Sequence, residues 1–276
     1  MDPFVSSAPL IVATECSDGI ALLALHTSFA EQPLLLDLDE LPTSPDVDNN
    51  GTSLVDETNI VTQNITNTTI TTKVDLQDIP RSYRGPFRIH LIDGFGTTMV
   101  CAGWRSHTQM MVDYCRDLAK EELQIYGPPR MSLTHCQEYG NYLAQQTSLW
   151  LAYTGVMKRH RWSCVGLLAT CSSDHKVEGT RDPGCLWLVD KTGAFRVRAH
   201  AVGGGPLAGL VNQYLALEQS KNDKTRTSER ALCELLDFLS EQSTFITQST
   251  RVELAILTPG RNAQTQLKRV FASVLR

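Results

Sequence analysis

No two of the eight cysteines in this 276-residue chain form a C-x-x-C pair. A zinc ribbon or a thioredoxin-type redox site needs that spacing, so neither is indicated. Cys16, Cys101, Cys115, Cys136, Cys164, Cys171, Cys185 and Cys233 are scattered, most of them inside apolar runs. A free thiol there behaves as a small hydrophobe. A chain of this length has no need of disulfide staples, and a reducing compartment suits it. His26, His90, His107, His135, His160, His175 and His200 show no metal-ligand spacing either. A basic surplus is also missing. With 25 Lys+Arg against 30 Asp+Glu, the net charge is -5, which removes the electrostatic case for nucleic acid or an anionic membrane as a partner. No apolar stretch approaches the about 20 residues that a membrane-spanning helix requires. The opening MDPFVSSAPLIVATECSDG has no basic n-region and only a short apolar run, so no secretory signal is expected. The N-x-[ST] sequons at Asn50, Asn64 and Asn67 are accordingly read as chance matches. The Gly203, Gly204, Gly205 run lacks the Lys-Ser/Thr of a P-loop and the G-x-G-x-x-G spacing of a dinucleotide fingerprint, so it is read as a tight strand-to-helix turn. No cofactor or metal is expected.

What is present is a chain with ordinary globular composition, 42% hydrophobic and 20% charged, able to bury a sizeable core. Residues 10–14 and 20–26 read as a hairpin around Ser17-Asp18-Gly19. Residues 42–86 are rich in Thr, Asn and Asp, with Asp46, Asp48, Asp56, Glu57, Asp75 and Asp78 against Lys73 until Arg81. Such a segment cannot bury enough apolar surface to offset its ordering entropy, and it reads as an acidic, disordered insertion. A short edge strand around Ile65 and Ile70 remains open. A second hairpin follows over 87–92 and 97–102, turning at Asp93-Gly94. Ser106 is a candidate cap for a helix to Tyr126, with Val112, Cys115, Leu118, Ala119 and Leu123 on one face. Ser132 or Thr134 caps the next helix, whose stripe is Leu143, Thr147, Trp150, Leu151 and Thr154. Residues 162–169 read as a strand buried on both faces. Residues 185–189 and 194–202 form a third hairpin around Asp190-Lys191-Thr192-Gly193. Two more helices follow, one from Pro206 through Leu217 and one opening at Thr227-Ser228-Glu229, with Ala231, Leu232, Leu235, Leu236 and Leu239 buried. A final strand, 251–257, and a short basic helix, 262–276, close the chain. Antiparallel strand pairs alternating with helix pairs predict an α+β, four-layer αββα sandwich of two antiparallel sheets, and exclude a doubly wound parallel sheet. The whole of 1–276 reads as a single domain carrying the insertion at 42–86 and the basic helix within 259–276.

Three stretches carry a resemblance. They are RIHLIDGFGTTMVCAGWRSHTQMMVDYCRDLAKEEL, MSLTHCQEYGNYLAQQTSLWLAYTGVMKRHRWSCVGLLATC and GCLWLVDKTGAFRVRAHAVGGGPLAGLVNQYLALE. Together with the first hairpin they resemble the subunits of the proteasome 20S core, a family of N-terminal-nucleophile folds. The run A-H-A-V-G-G-G and Tyr214-Leu215 are similar to the α-type branch. α-type chains carry a longer segment before the first strand, with a gate-forming tail, whereas about ten residues precede it here. Either the chain lacks the gate, or it is a divergent β-type chain or a stand-alone paralogue. The insertion and the basic C-terminal helix fall outside the family pattern.

The resemblance implies a threonine nucleophile at the start of the first strand, activated by its own free amine, a lysine and an acid. Aligned on Gly19, the nucleophile position falls at Pro9, the acid at or beside Leu25, and the lysine near Arg88 or Ile89. Proline has no hydroxyl, and an arginine stays protonated and cannot tune an amine. Ser6, Ser7, Thr14 and Cys16 are the substitute nucleophiles within reach, and none has a base placed beside it. No catalytic residue is therefore assigned. The expected function is that of a non-catalytic structural subunit of a core particle for protein degradation. Other α- and β-type subunits would be its partners, in cytoplasm and nucleus. A divergent stand-alone hydrolase of this fold and a subunit-like assembly factor are the alternatives.

Overall fold

The structure is a computed structural model that describes residues 3–26, 87–126, 133–157, 161–172, 184–221, 225–242, 251–258 and 266–273. The expected acidic insertion, the possible strand at Ile65 and Ile70, and the three sequons lie outside these residues.

A single helical turn, α1 (Pro3–Ser6), leads into β1 (Ile11–Cys16) and β2 (Gly19–His26), which pair antiparallel around Ser17 and Asp18. β3 (Ile89–Leu91) and β4 (Thr98–Gly103) form the next hairpin, followed by α2 (Arg105–Tyr126) and α3 (Leu133–Met157). β5 (Cys164–Cys171), β6 (Gly184–Asp190), β7 (Gly193–Val197) and β8 (Ala199–Val202) come next. α4 (Pro206–Ser220), α5 (Ser228–Glu241), β9 (Arg251–Thr258) and β10 (Gln266–Ser273) complete the chain. The strands make two five-stranded antiparallel sheets, ordered β10-β9-β2-β1-β8 and β3-β4-β5-β6-β7.

Period-two alternation explains why the strands are apolar almost throughout. Ile11 and Ala13 on β1, with Ile20, Leu22 and Ala24 on β2, face a core shared with Val100 and Ala102 of β4 and Leu167 and Ala169 of β5. Their neighbours Leu10, Val12, Leu23 and Leu25 point the other way, onto Leu207, Val211 and Leu215 of α4 and Leu232 and Leu235 of α5. On the second sheet Met99, Cys101 and Leu168 turn outward onto Met111 and Cys115 of α2 and Leu143 and Leu151 of α3. Where a strand is covered on both faces, a polar alternate position would be buried without water; β7, at the edge of the second sheet, is half-buried to exposed. The result is four layers: helices, sheet, sheet, helices.

Local chemistry sets the element ends. Asp190 Oδ1 accepts from the N–H of Thr192 at 2.7 Å and of Gly193 at 3.2 Å, closing the β6–β7 turn. Thr227 caps α5 by accepting from Arg230 N. Asp18, in the β1–β2 turn, takes both the N–H and the hydroxyl of Ser228 at 2.7 and 2.6 Å, fastening α5 to the first hairpin.

Four expectations are corrected. Within the expected basic helix over 262–276, residues 266–273 are instead strand β10, paired with β9 from Gln266↔Thr258 to Ser273↔Arg251. Leu267, Val270 and Phe271 suit either period, and the open edge of β9 offers a full ladder of backbone partners. β9 is consequently not the final strand. The single return strand over 194–202 divides at Arg198, whose carbonyl accepts from Glu15 N at 2.8 Å. β7 stays with β6, while β8 crosses to β1 in the other sheet. α2 begins at Arg105, so Ser106 lies inside its first turn rather than at the cap; Thr108 N donates to Trp104 O there. Thr134 likewise sits inside α3, and Ser132 lies outside the described residues.

Candidate functional site

The positions to which the resemblance assigns catalytic groups gather at one end of the sandwich, where β1 starts and β2 ends. Pro9 is buried there. The chain before it folds back as α1 and closes that end: Val5 and Ala8 join the core between the sheets. The closure is made by main chain. Gly204 N donates to Ala8 O and Gly205 N to Ser6 O, both at 2.6 Å. These donors belong to the approach to α4, where Gly203 has φ +80° and a Cβ on it would lie 2.4 Å from Pro9 O. Only glycine fits that approach. The N–H groups that open a helix make an anion site when empty; here carbonyl oxygens of the same chain fill two of them.

Leu25 does not face this spot. It is buried toward α4 and α5, and Ala24 beside it faces between the sheets. The buried acid at this end is Glu253 on β9, directly across from Ala24 and fully enclosed. Its Oε2 accepts from Arg88 N at 2.7 Å and its carboxylate also accepts from Ile89 N at 3.3 Å. The guanidinium of Arg88 is buried as well and donates to Gly103 O at 3.1 Å. The group therefore ties β9 of one sheet to β3 and β4 of the other. Both of its charged members are engaged in holding backbone. The sequence carried a faint signal for Glu253: a carboxylate on the same alternate positions of β9 as the apolar Ala255 and Leu257.

The substitute nucleophiles divide between the closing turn and β1. Ser6 is half-buried and Ser7 exposed in the closing turn. Thr14 and Cys16 occupy the alternate positions of β1 that face α4 and α5, away from the space between the sheets. The Cys16 thiol donates to Thr14 O, and burial pushes its pKa up to about 12. Burial has the same effect at Cys115 and Cys164, each raised to about 12, and at Cys136, raised to about 11. Seven thiols are buried and Cys233 alone is exposed. A thiol reagent at pH 8 should therefore titrate one fast group per native chain and the other seven only after unfolding. A time course of mixed-disulfide release that shows two or more fast groups would contradict this packing.

His107 Nδ1 accepts from Ser163 N at 3.1 Å, and its ring lies 5.3 Å from Trp162, edge-on. His90 is half-buried on β3; His200 is half-buried on β8, where burial lowers its pKa. His135 is exposed on α3 and His26 ends β2, while His160 and His175 lie outside the described residues. Among the described residues no group of His, Cys, Asp and Glu could hold a metal ion. Asp93 accepts from Phe95 N, Thr97 N and the Tyr139 hydroxyl, and burial raises its pKa; it pins the β3–β4 turn to α3. Glu15 accepts from Leu186 N and from Arg196, whose guanidinium lies 5.4 Å above the Trp187 ring. A groove of about 390 Å³ between α4 and α5 is lined by Tyr214, Lys221, Arg226, Glu234 and Asp237 among others. Arg226 and Arg230 both bind Glu234 there, at 2.9 and 2.7 Å.

The remaining feature is a surface. Leu149, Tyr153, Val156 and Met157 recur at helical spacing on the outer side of α3, all exposed, with Trp104 and Met110 of the α2 segment alongside. A row of rings stands behind them: Tyr114 stacks on Trp150 at 4.5 Å, and Trp150 lies 4.8 Å from Trp162. Contiguous exposed apolar residues on a rigid helix pair mark an interaction surface. No helix among the described residues is long and apolar enough to cross a membrane. A scan of the chain against protein-family models gives no match, and a search of curated proteins gives none either.

Proposed function

We propose that this chain is a non-catalytic structural subunit of a proteasome-type core particle, with the N-terminal-nucleophile architecture and a role in assembly. The observation that carries the reading is the closed start of β1. Pro9 stands at the nucleophile position, the chain's own carbonyls occupy the Gly204 and Gly205 N–H groups, and the nearby Arg88 and Glu253 are committed to joining the sheets. A substrate carbonyl would find neither a nucleophile nor a free donor pair. The four layers and the exposed α2–α3 face support an assembly role. In the ring family such helices meet neighbouring rings, and the partners would be other α- and β-type subunits in cytoplasm and nucleus.

The test is native purification of the tagged chain followed by intact-complex mass spectrometry. A complex of several hundred kilodaltons containing other core subunits is expected. Recovery free of any such subunit after gentle lysis would overturn the proposal. Higher abundance in precursor than in mature particles would make the chain an assembly factor instead. Mass analysis of the mature N-terminus separates the stand-alone hydrolase: an intact Met1 ends that alternative, whereas a processed start at Ser6 or Ser7 would revive it.

A further inference from the structure

We propose that His107 is a pH-sensitive latch: its neutral ring closes the elbow between β4 and α2 onto the start of β5, and its protonation releases that end of the sandwich. The inference goes beyond the subunit reading and does not depend on it.

Three observations carry it. First, the β4–β5 ladder stops at Gly103↔Cys164. One residue further on, the elbow holds the backbone of Ser163 instead: Trp104 N donates to Ser163 O at 2.9 Å, and Ser163 N donates to His107 Nδ1 at 3.1 Å. Ser163 is buried, so this N–H sits where a lost partner is costly. Second, the bond fixes the protonation state of the ring. A nitrogen that accepts from an N–H carries no proton, which places the ring proton on Nε2. An imidazolium donates from both nitrogens and would set N–H against N–H. Third, the ring lies between two indoles. Trp104 stacks on it at 5.8 Å and Trp162 meets it edge-on at 5.3 Å. Trp104 is 54% exposed and Trp162 only 3%, so release of His107 brings a buried indole toward water.

The charges around the latch do not rescue an imidazolium. Arg105 stands two residues before it on α2, and Arg161 two residues before Ser163. Lys191 of the β6–β7 turn reaches Trp162 O at 3.4 Å, and Arg88, just before β3, donates to Gly103 O. Asp190 is the carboxylate of that turn, and its Oδ1 already accepts from Thr192 and Gly193. α3 brings no charged side chain between Tyr139 and Met157. The face of Trp104 offers a cation–π contact, but such contacts are weak where the ring is exposed. Loss of the Ser163 bond decides the balance, because the closed elbow would then hold a buried N–H against a cation. Proton uptake and opening are therefore one event. The stability that the latch supplies is full above about pH 6.5, where an unfolded histidine titrates, and is lost as pH falls below it.

Amide exchange of the full-length chain, followed by NMR, tests this. Opening that takes up one proton shifts the equilibrium about tenfold per pH unit. The protection factor of the Ser163 amide is expected to fall by about that factor for each unit below pH 6.5 in the wild type. It should stay level in His107→Asn, whose side-chain carbonyl accepts at every pH. Tryptophan emission should move to the red over the same range in the wild type and not in the variant. Equal pH dependence of Ser163 protection in the two proteins overturns the inference. So does a wild-type His107 ring that carries its proton on Nδ1 at pH 8, read from its nitrogen chemical shifts, a measurement that needs no variant to fold.

Discussion

Glu253→Ala is expected to destabilise the protein by about 3–5 kcal/mol, the range for removing one partner of a buried, hydrogen-bonded charged group. Glu253 is fully enclosed and accepts from the main chain of Arg88 and Ile89. The substitution removes the acceptor from two buried N–H groups and leaves a void beside the Arg88 main chain. Glu253→Gln keeps the shape and one carbonyl acceptor, so it should retain about half of the lost stability. Chemical denaturation with both variants gives the comparison. Equal, small losses for the two would mean that the carboxylate does not join the sheets.

Gly103→Val should be comparably damaging, by about 2–6 kcal/mol. Gly103 has φ +119°, and a Cβ there would lie 2.1 Å from Ser163 O and 2.7 Å from Cys164 Cα. Both neighbours are backbone and cannot swing aside. Strain in this region of dihedral space adds about 1–3 kcal/mol, and forcing the β4–β5 ladder apart adds a similar amount. The readout is soluble yield and melting temperature against wild type. A well-folded Gly103→Val protein melting within a few degrees of wild type would contradict the described approach of β4 to Ser163.

The layered architecture was legible because it depends on local signals repeated many times. Hairpins at Ser17-Asp18 and Asp190-Thr192, the stripe from Leu143 to Thr154 and the wholly apolar run of β5 each declare their periodicity within a few residues. What was not legible depends on distant partners. β10 carries spacing that fits a helix, and becomes a strand because β9 offers it an edge. The break at Arg198 has no glycine or proline to announce it; it is set by where β1 lies. The closing turn before Pro9 depends on glycines nearly two hundred residues later. Glu253 looks like any strand acid until Ala24, Arg88 and Ile89 surround it. That Pro9 has no hydroxyl needed no structure, since the residue type alone decides it.

The pairing of β2 with β9 has a consequence for biosynthesis. Leu22 sits opposite Ala255, and β9 in turn aligns β10. The β1–β2 hairpin thus waits for β9 and β10, more than two hundred residues later, before its sheet can be completed, while the intervening β3 to β7 can assemble among themselves. Closing so long a loop is slow, and an apolar hairpin with an open edge is adhesive in the meantime. Translation speed and chaperone supply, rather than final stability, would then limit how much of this protein reaches its native form.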